Sequence, residues 1–201
     1  VTQTTREGRG AGRRDSASMP TRETLLTVAE RLFLADGYDK VSVRAICAAA
    51  EANPAAVHYH FGTKEDLTIA LLQSRLGPLW ADPLASLDPA VTAIAQVVDV
   101  VVDPFVDLQA DPAGHLHLRL LARFVFAHPT AGWTSRWFDL DPFADMLADA
   151  VPGLTAGQAR RRWALAFQLI LLRFGGTETL STTAVTALTG FVTAGLTAPA
   201  P

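Results

Sequence analysis

The residues best suited to chemistry gather in one short stretch of this 201-residue chain. Asn53-Pro54-Ala55-Ala56 leads into His58, Tyr59 and His60, Lys64 follows after a glycine, and Arg44 stands shortly upstream. Amide, hydroxyl, imidazole and ammonium groups donate hydrogen bonds to base edges and phosphates, and an exposed alanine methyl packs on a thymine methyl. This is recognition chemistry rather than bond-making chemistry. There is no Gly-rich phosphate loop, nucleophile elbow or pair of placed carboxylates, so no residue stands out for catalysis and an enzyme is not expected. The spacings His58-x-His60 and His115-x-His117 put paired imidazoles on different sides of a helix, with no acidic or cysteine ligand at useful spacing. Neither a metal nor a cofactor is expected.

Helices must position those groups. After Pro20 and Thr21, Leu25, Val28, Ala29, Leu32 and Phe33 recur with helical period, and Gly37 ends the run. Ser42 caps a short second helix with Val43, Ile46, Cys47 and Ala50 on its apolar face, which turns Cys47 inward. Asn53 caps a third helix with Pro54 at its first position, running to about His60. Thr63 and Asp66 form an Asp-for-Glu capping box that opens a fourth helix toward Trp80. Lys64 then stands beside free backbone N–H groups, an arrangement suited to a phosphate.

Two short helices joined by a tight turn, 43–50 and 54–60, make a helix-turn-helix that lays its second helix in a DNA major groove. The stretch from Thr24 to Leu67 is similar to the DNA-binding domain of TetR-family transcriptional repressors. The resemblance rests on Ala29…Leu32-Phe33…Gly37-Tyr38, Ser42-Val43-Arg44…Ile46, and Tyr59-His60-Phe61 followed by Lys64-Glu65…Leu67. It implies an all-α protein with DNA contacts among Arg44, Asn53, Pro54, Ala55, Ala56, His58, Tyr59, His60 and Lys64. Arg44 either touches a phosphate or is simply solvated. Two residues depart from the family pattern. Glu51 stands where the family usually has Gly, at a turn that costs other residues about 1–2 kcal/mol and that Glu51 can therefore reshape. His58 stands where the family most often has a phosphate-contacting Tyr.

The rest of the chain also reads as helical, for a total of about nine helices and no sheet. Val91–Leu108, His115–Ala127 and Asp141–Ala150 are followed by a capping-box pair, Thr155 and Gln158, opening a long helix to Arg173, and by a last helix from about Ser181 to Thr197. Trp163–Phe174 of the long helix is apolar nearly all round and the last helix carries apolar residues at helical spacing, so both are buried on more than one side, either in the chain's own core or by another subunit. By resemblance they pair with their copies in a homodimer, through Trp163, Phe167, Ile170, Phe174, Val185, Leu188, Phe191, Val192 and Leu196. Twofold symmetry suits a palindromic operator in double-stranded DNA. The middle helices carry Trp80, Phe105, His115, Phe124, Trp133, Trp137, Phe138, Phe143 and Phe167, a set able to line a pocket for a small lipophilic or aromatic effector.

Composition sets the frame. The chain is 49% hydrophobic and 18% charged, with a net charge of −3 and a mean hydropathy of +0.21, which favours a sizeable core. The single cysteine excludes an intramolecular disulfide. Residues 1–64 carry nine basic and seven acidic groups, net +2, and residues 65–201 eight basic and thirteen acidic, net −5. A mildly basic front end thus precedes an acidic body. No signal peptide or membrane span is read, and the expected setting is cytoplasmic. The resulting division is a disordered arm over 1–20 with Arg6, Arg9, Arg13 and Arg14, a DNA-binding unit over 21–66, and an effector-binding and dimerisation unit over 67–201. The rival reading is a helical small-molecule-binding protein whose DNA head no longer functions, which Glu51 and His58 keep open.

Overall fold

The computed structural model describes residues 22–88, 92–127, 133 and 140–200. Within them are nine α-helices and no strand. In order they are α1 (Arg22–Asp36), α2 (Val43–Ala49), α3 (Ala56–Phe61), α4 (Lys64–Ala85), α5 (Ile94–Leu108), α6 (Pro112–Ala127), α7 (Asp141–Ala150), α8 (Ala156–Phe174) and α9 (Thr182–Thr197), with a 3₁₀ turn at Tyr38–Lys40. The expected arm over 1–20 and the expected helix start at Val91 lie outside the described residues.

The helix starts follow from caps legible in the chain. Ser42 Oγ accepts from Ala45 N at 3.1 Å, and Thr63 Oγ1 accepts from Asp66 N at 3.0 Å while Asp66 accepts from Thr63 N at 3.3 Å. Thr155 and Gln158 reciprocate in the same way at α8. α6 begins three residues before the expected His115, because the Asp111 carboxylate accepts from Ala113 N and Gly114 N and Pro112 occupies a position whose N–H is not needed. Gly114 is required there, since a Cβ would overlap the Leu108 carbonyl at the α5–α6 corner.

Helices α1, α2 and α3 form a small head closed by Leu25, Leu26, Ala29, Phe33, Ile46, Cys47 and Val57, all 1% exposed or less. α4 runs without a break from the head into the body, so the expected boundary at 66 falls within its first turn. In the body α7 packs on α8, α8 on α9, and α5 on α4, α6 and α9. α1 rests on both α4 and α6, which makes the head–body junction a packed contact rather than a tether. Among the described residues no helix is long and apolar enough to cross a membrane.

Candidate nucleic-acid interface and ligand cavity

The turn between α2 and α3 keeps its left-handed corner despite lacking glycine. Glu51 adopts φ 52°, the one positive φ among described non-glycine residues, and the corner is held by Glu51 N to Ala48 O at 3.1 Å and Ala52 N to Cys47 O at 2.8 Å. The turn is therefore strained rather than reshaped, at a cost of about 1–2 kcal/mol. α3 starts at Ala56 instead of Pro54. The Asn53 Oδ1 accepts from Ala55 N at 2.8 Å, so Asn53 closes a local turn ahead of the helix rather than capping its first residue.

This entry sets which way each side chain faces. Asn53, Pro54, Ala55, His58 and Tyr59 are exposed, with Tyr59 at 75%, and Arg44 on α2 is exposed too. Ala56 is not: at 1% exposure it faces the head core beside Val57, so its methyl is out of reach of a thymine. Periodicity fits the correction: His60, one turn on from Ala56, shares its face and is half-buried, while His58, two residues on, falls on the opposite, exposed side. His60 is half-buried, its Nε2 buried without a partner among the described residues. The His58 Nδ1–H donates to the Gly62 carbonyl at 3.0 Å, which holds that ring over the end of α3.

Lys64 departs most from expectation. Its Nζ donates to the Tyr38 carbonyl at 2.6 Å and lies 3.9 Å from the centre of the Tyr38 ring. Burial pushes its pKa down, with Asp39 and Glu65 pulling the other way. The ammonium is thus turned into the head–body junction instead of standing open at the start of α4. Tyr38, to which the sequence assigned no role, is the hub of that junction. Phe33 and Phe124 rings lie 5.2 Å and 5.6 Å from it, and the Arg123 guanidinium covers it at 4.7 Å. Desolvation, followed by the Glu65 charge, raises its phenol pKa to about 12.

Two polar clasps complete the junction. Arg123 of α6 donates two hydrogen bonds, of 2.8 and 2.9 Å, to the Asp39 carboxylate of the head. That bond holds the Asp39 pKa below its ordinary value. On the other side, His117 of α6, 6% exposed, donates from Nε2 to Glu30 of α1 at 2.7 Å, and Arg75 of α4 bonds both Glu30 and Glu23. Half-burial works against the Arg75 charge, and its bonds to Glu30 and Glu23 outweigh it. The pattern His115-x-His117, set aside as a metal pair, held the only sequence trace of this clasp. Among the described residues no three His, Cys, Asp or Glu side chains gather to hold a metal.

In the body a cavity of about 320 Å³ opens between α4, α5, α6, α7 and α8. Trp80, Phe105, Trp133, Phe143 and Phe167 line it. His115 and Phe124 do not. On α6 the face of Leu121 and Val125 meets the cavity, while Phe124 is edge-on to Tyr38 and His115 reaches Thr179 at 3.3 Å. Trp137 and Phe138 lie outside the described residues.

The residues expected to pair two copies divide in the same way. Trp163, Ile170, Phe174, Leu188, Val192 and Leu196 are at most 8% exposed within one chain and cannot meet a partner. Trp163 stacks near Phe143 and Phe167 at 5.2 and 5.5 Å, and Phe174 near Phe105 at 5.3 Å. Phe167 is half-buried at the cavity, and Val185 is half-buried. What α8 and α9 leave exposed are Leu165 at 67%, Leu172 at 66% and Phe191 at 70%.

A three-helix head with a short, outward-facing third helix, mounted on a six-helix body, defines a helix-turn-helix protein. Residues 25–71 match the family model described as bacterial regulatory proteins, tetR family. The transcriptional regulator BetI of Rhizobium meliloti is 37% identical over 71 residues, 35% of each chain. The regulator TcmR of Streptomyces glaucescens is 31% identical over 88 residues, 44% of this chain and 34% of the relative. The matched region thus spans about a third of these curated relatives. Among solved structures, NalD, described as the secondary repressor of the MexAB-OprM multidrug efflux pump in Pseudomonas aeruginosa, superposes with a TM-score of 0.59 at 20% identity. It covers 88% of this chain and 96% of its own. A TetR-family regulator from Streptomyces coelicolor gives 0.53 at 22% identity, over 92% and 99%. At these identities the structures bear on the fold.

Proposed function

We propose that this protein is a DNA-binding transcriptional regulator that grips a palindromic operator as a homodimer and represses until a small lipophilic or aromatic effector enters the body cavity. The observation that carries the reading is the outer face of α3. Asn53, Pro54, Ala55, His58 and Tyr59 are exposed together, while Ala56 and Val57 anchor the helix in the head core. A short helix that presents its first residues without burying them can enter a major groove by its N-terminal end. Arg44 lies exposed on the neighbouring helix, placed to meet a phosphate.

A single recognition helix reads few bases, so two copies are needed for specificity. Leu165 and Leu172 sit seven residues apart on one face of α8. On α9, Phe191 stands beside Ala187, Gly190 and Ala194, a row of exposed small residues over which nothing packs at Gly190. These are the side chains we assign to the partner copy. Effector release follows from coupling: α6 forms one cavity wall through Leu121 and Val125 and holds the head through His117 and Arg123. A ligand that shifts α6 changes the head spacing that the operator selects.

The test is a mobility shift with duplex fragments from upstream of the protein's own gene. A specific complex, weakened about tenfold by Arg44→Ala, is expected. Equal retention of all fragments at low salt would overturn the assignment.

A further inference from the structure

The cavity has a charge preference as well as a shape. Among the described residues lining it, Arg160 is the one ionisable side chain and Gln168 the one amide, and no lining residue carries a carboxylate. The Trp80 indole N–H on its wall is already committed to the Val101 carbonyl at 2.9 Å. Arg160 sits near the start of α8 with its side chain 49% exposed, at the rim, and is paired with Asp141 in the first turn of α7. A guanidinium already arranged to hold one carboxylate at the mouth of an aromatic slot is arranged to hold another.

We infer that the cavity takes an amphipathic acid, with a flat apolar body between Trp80, Phe105 and Phe143 and an anionic group that takes Arg160 over from Asp141. This rests on the cavity being the effector site. Discrimination has two sides. The acid gains charge-assisted hydrogen bonds, and an amine meets Arg160 with no carboxylate among the described lining residues to receive it. The acidic body, net −5 over residues 65–201, slows the approach of an anion only at low ionic strength, because the Debye length at physiological salt is about 8 Å. Exchange of one carboxylate for another also removes an ion pair between α7 and α8, while Phe143 stays packed on Trp163 and Phe167, so occupancy touches the α7–α8 contact without separating the helices.

The test uses the full chain and three probes of one shape, 2-naphthoate, 2-naphthamide and 2-naphthylmethylammonium, by calorimetry and thermal shift. The acid is expected to bind about tenfold more tightly than the amide, and the ammonium most weakly. Arg160→Gln should bring the acid down to the amide while leaving the amide unchanged. Asp141→Asn should tighten the acid, because the competing carboxylate is gone. Equal binding of acid and amide, or preference for the ammonium, would overturn the charge preference while leaving the cavity as a ligand site. If no probe binds or shifts the melting temperature, the effector reading of the cavity falls, and this inference falls with it.

Discussion

Residue chemistry decides the head. Glu51 holds φ 52° where a side chain is strained, so Glu51→Gly should stabilise the protein by about 1 kcal/mol in a urea melt, with the turn geometry unchanged. No gain would mean that local contacts offset the strain. The inward turn of Cys47 and the exposure of Tyr59 were legible in the chain, because apolar period and turn residues fix the facing of a short helix between two caps. The burial of Ala56 was not. An alanine suits a core and a groove equally, and moving the helix start by two residues, from Pro54 to Ala56, decides which face it occupies.

Elements carry the coupling. Capping pairs made the starts of α2, α4 and α8 readable, since each writes its hydrogen bonds into residues three apart. The junction was unreadable because its partners are far apart in sequence: Asp39 meets Arg123 and Glu30 meets His117. Periodicity reports which side of a helix is buried, not what charge lies against it. Lys64 shows the consequence. With its ammonium on Tyr38, Lys64→Ala should lower the melting temperature and weaken DNA binding while leaving the salt dependence of binding nearly unchanged. A true phosphate contact would reduce the slope of log K against log salt by about one unit. Acid acts on the Arg123 clasp beside Lys64. Asp39 has a depressed pKa in the folded chain through its bond from Arg123, so its contribution is complete above the ordinary carboxyl value of 3.8 and is lost as the pH falls through the lower folded value. The melting temperatures of wild type and Asp39→Asn should therefore differ at pH 6 and converge as the pH falls through the depressed Asp39 value.

At the scale of the whole molecule, the all-helical plan was legible from composition and period, and the assembly face was not. α8 and α9 are apolar on several sides, and sequence alone cannot tell the side that closes the chain's own core from the side left for a second copy. Trp163, Ile170 and Val192 took the first role, and Leu165, Leu172 and Phe191 are left exposed, on the side we propose for a second copy. Phe191→Glu should shift sedimentation at micromolar concentration from dimer to monomer with little loss of thermal stability, since the side chain is 70% exposed in one chain. An unchanged dimer would place the interface elsewhere. Loss of the dimer should also lower operator affinity steeply, because each half-site contact would then be made alone.

The central claim is that the exposed face of α3 reads duplex DNA. Fluorescence anisotropy with the operator fragment across a salt series, comparing wild type with Tyr59→Ala, tests it most directly. Specific binding is expected, with log affinity falling linearly with log salt and a loss of about tenfold in Tyr59→Ala at every salt concentration. Binding without sequence preference, or an affinity indifferent to Tyr59, would contradict it.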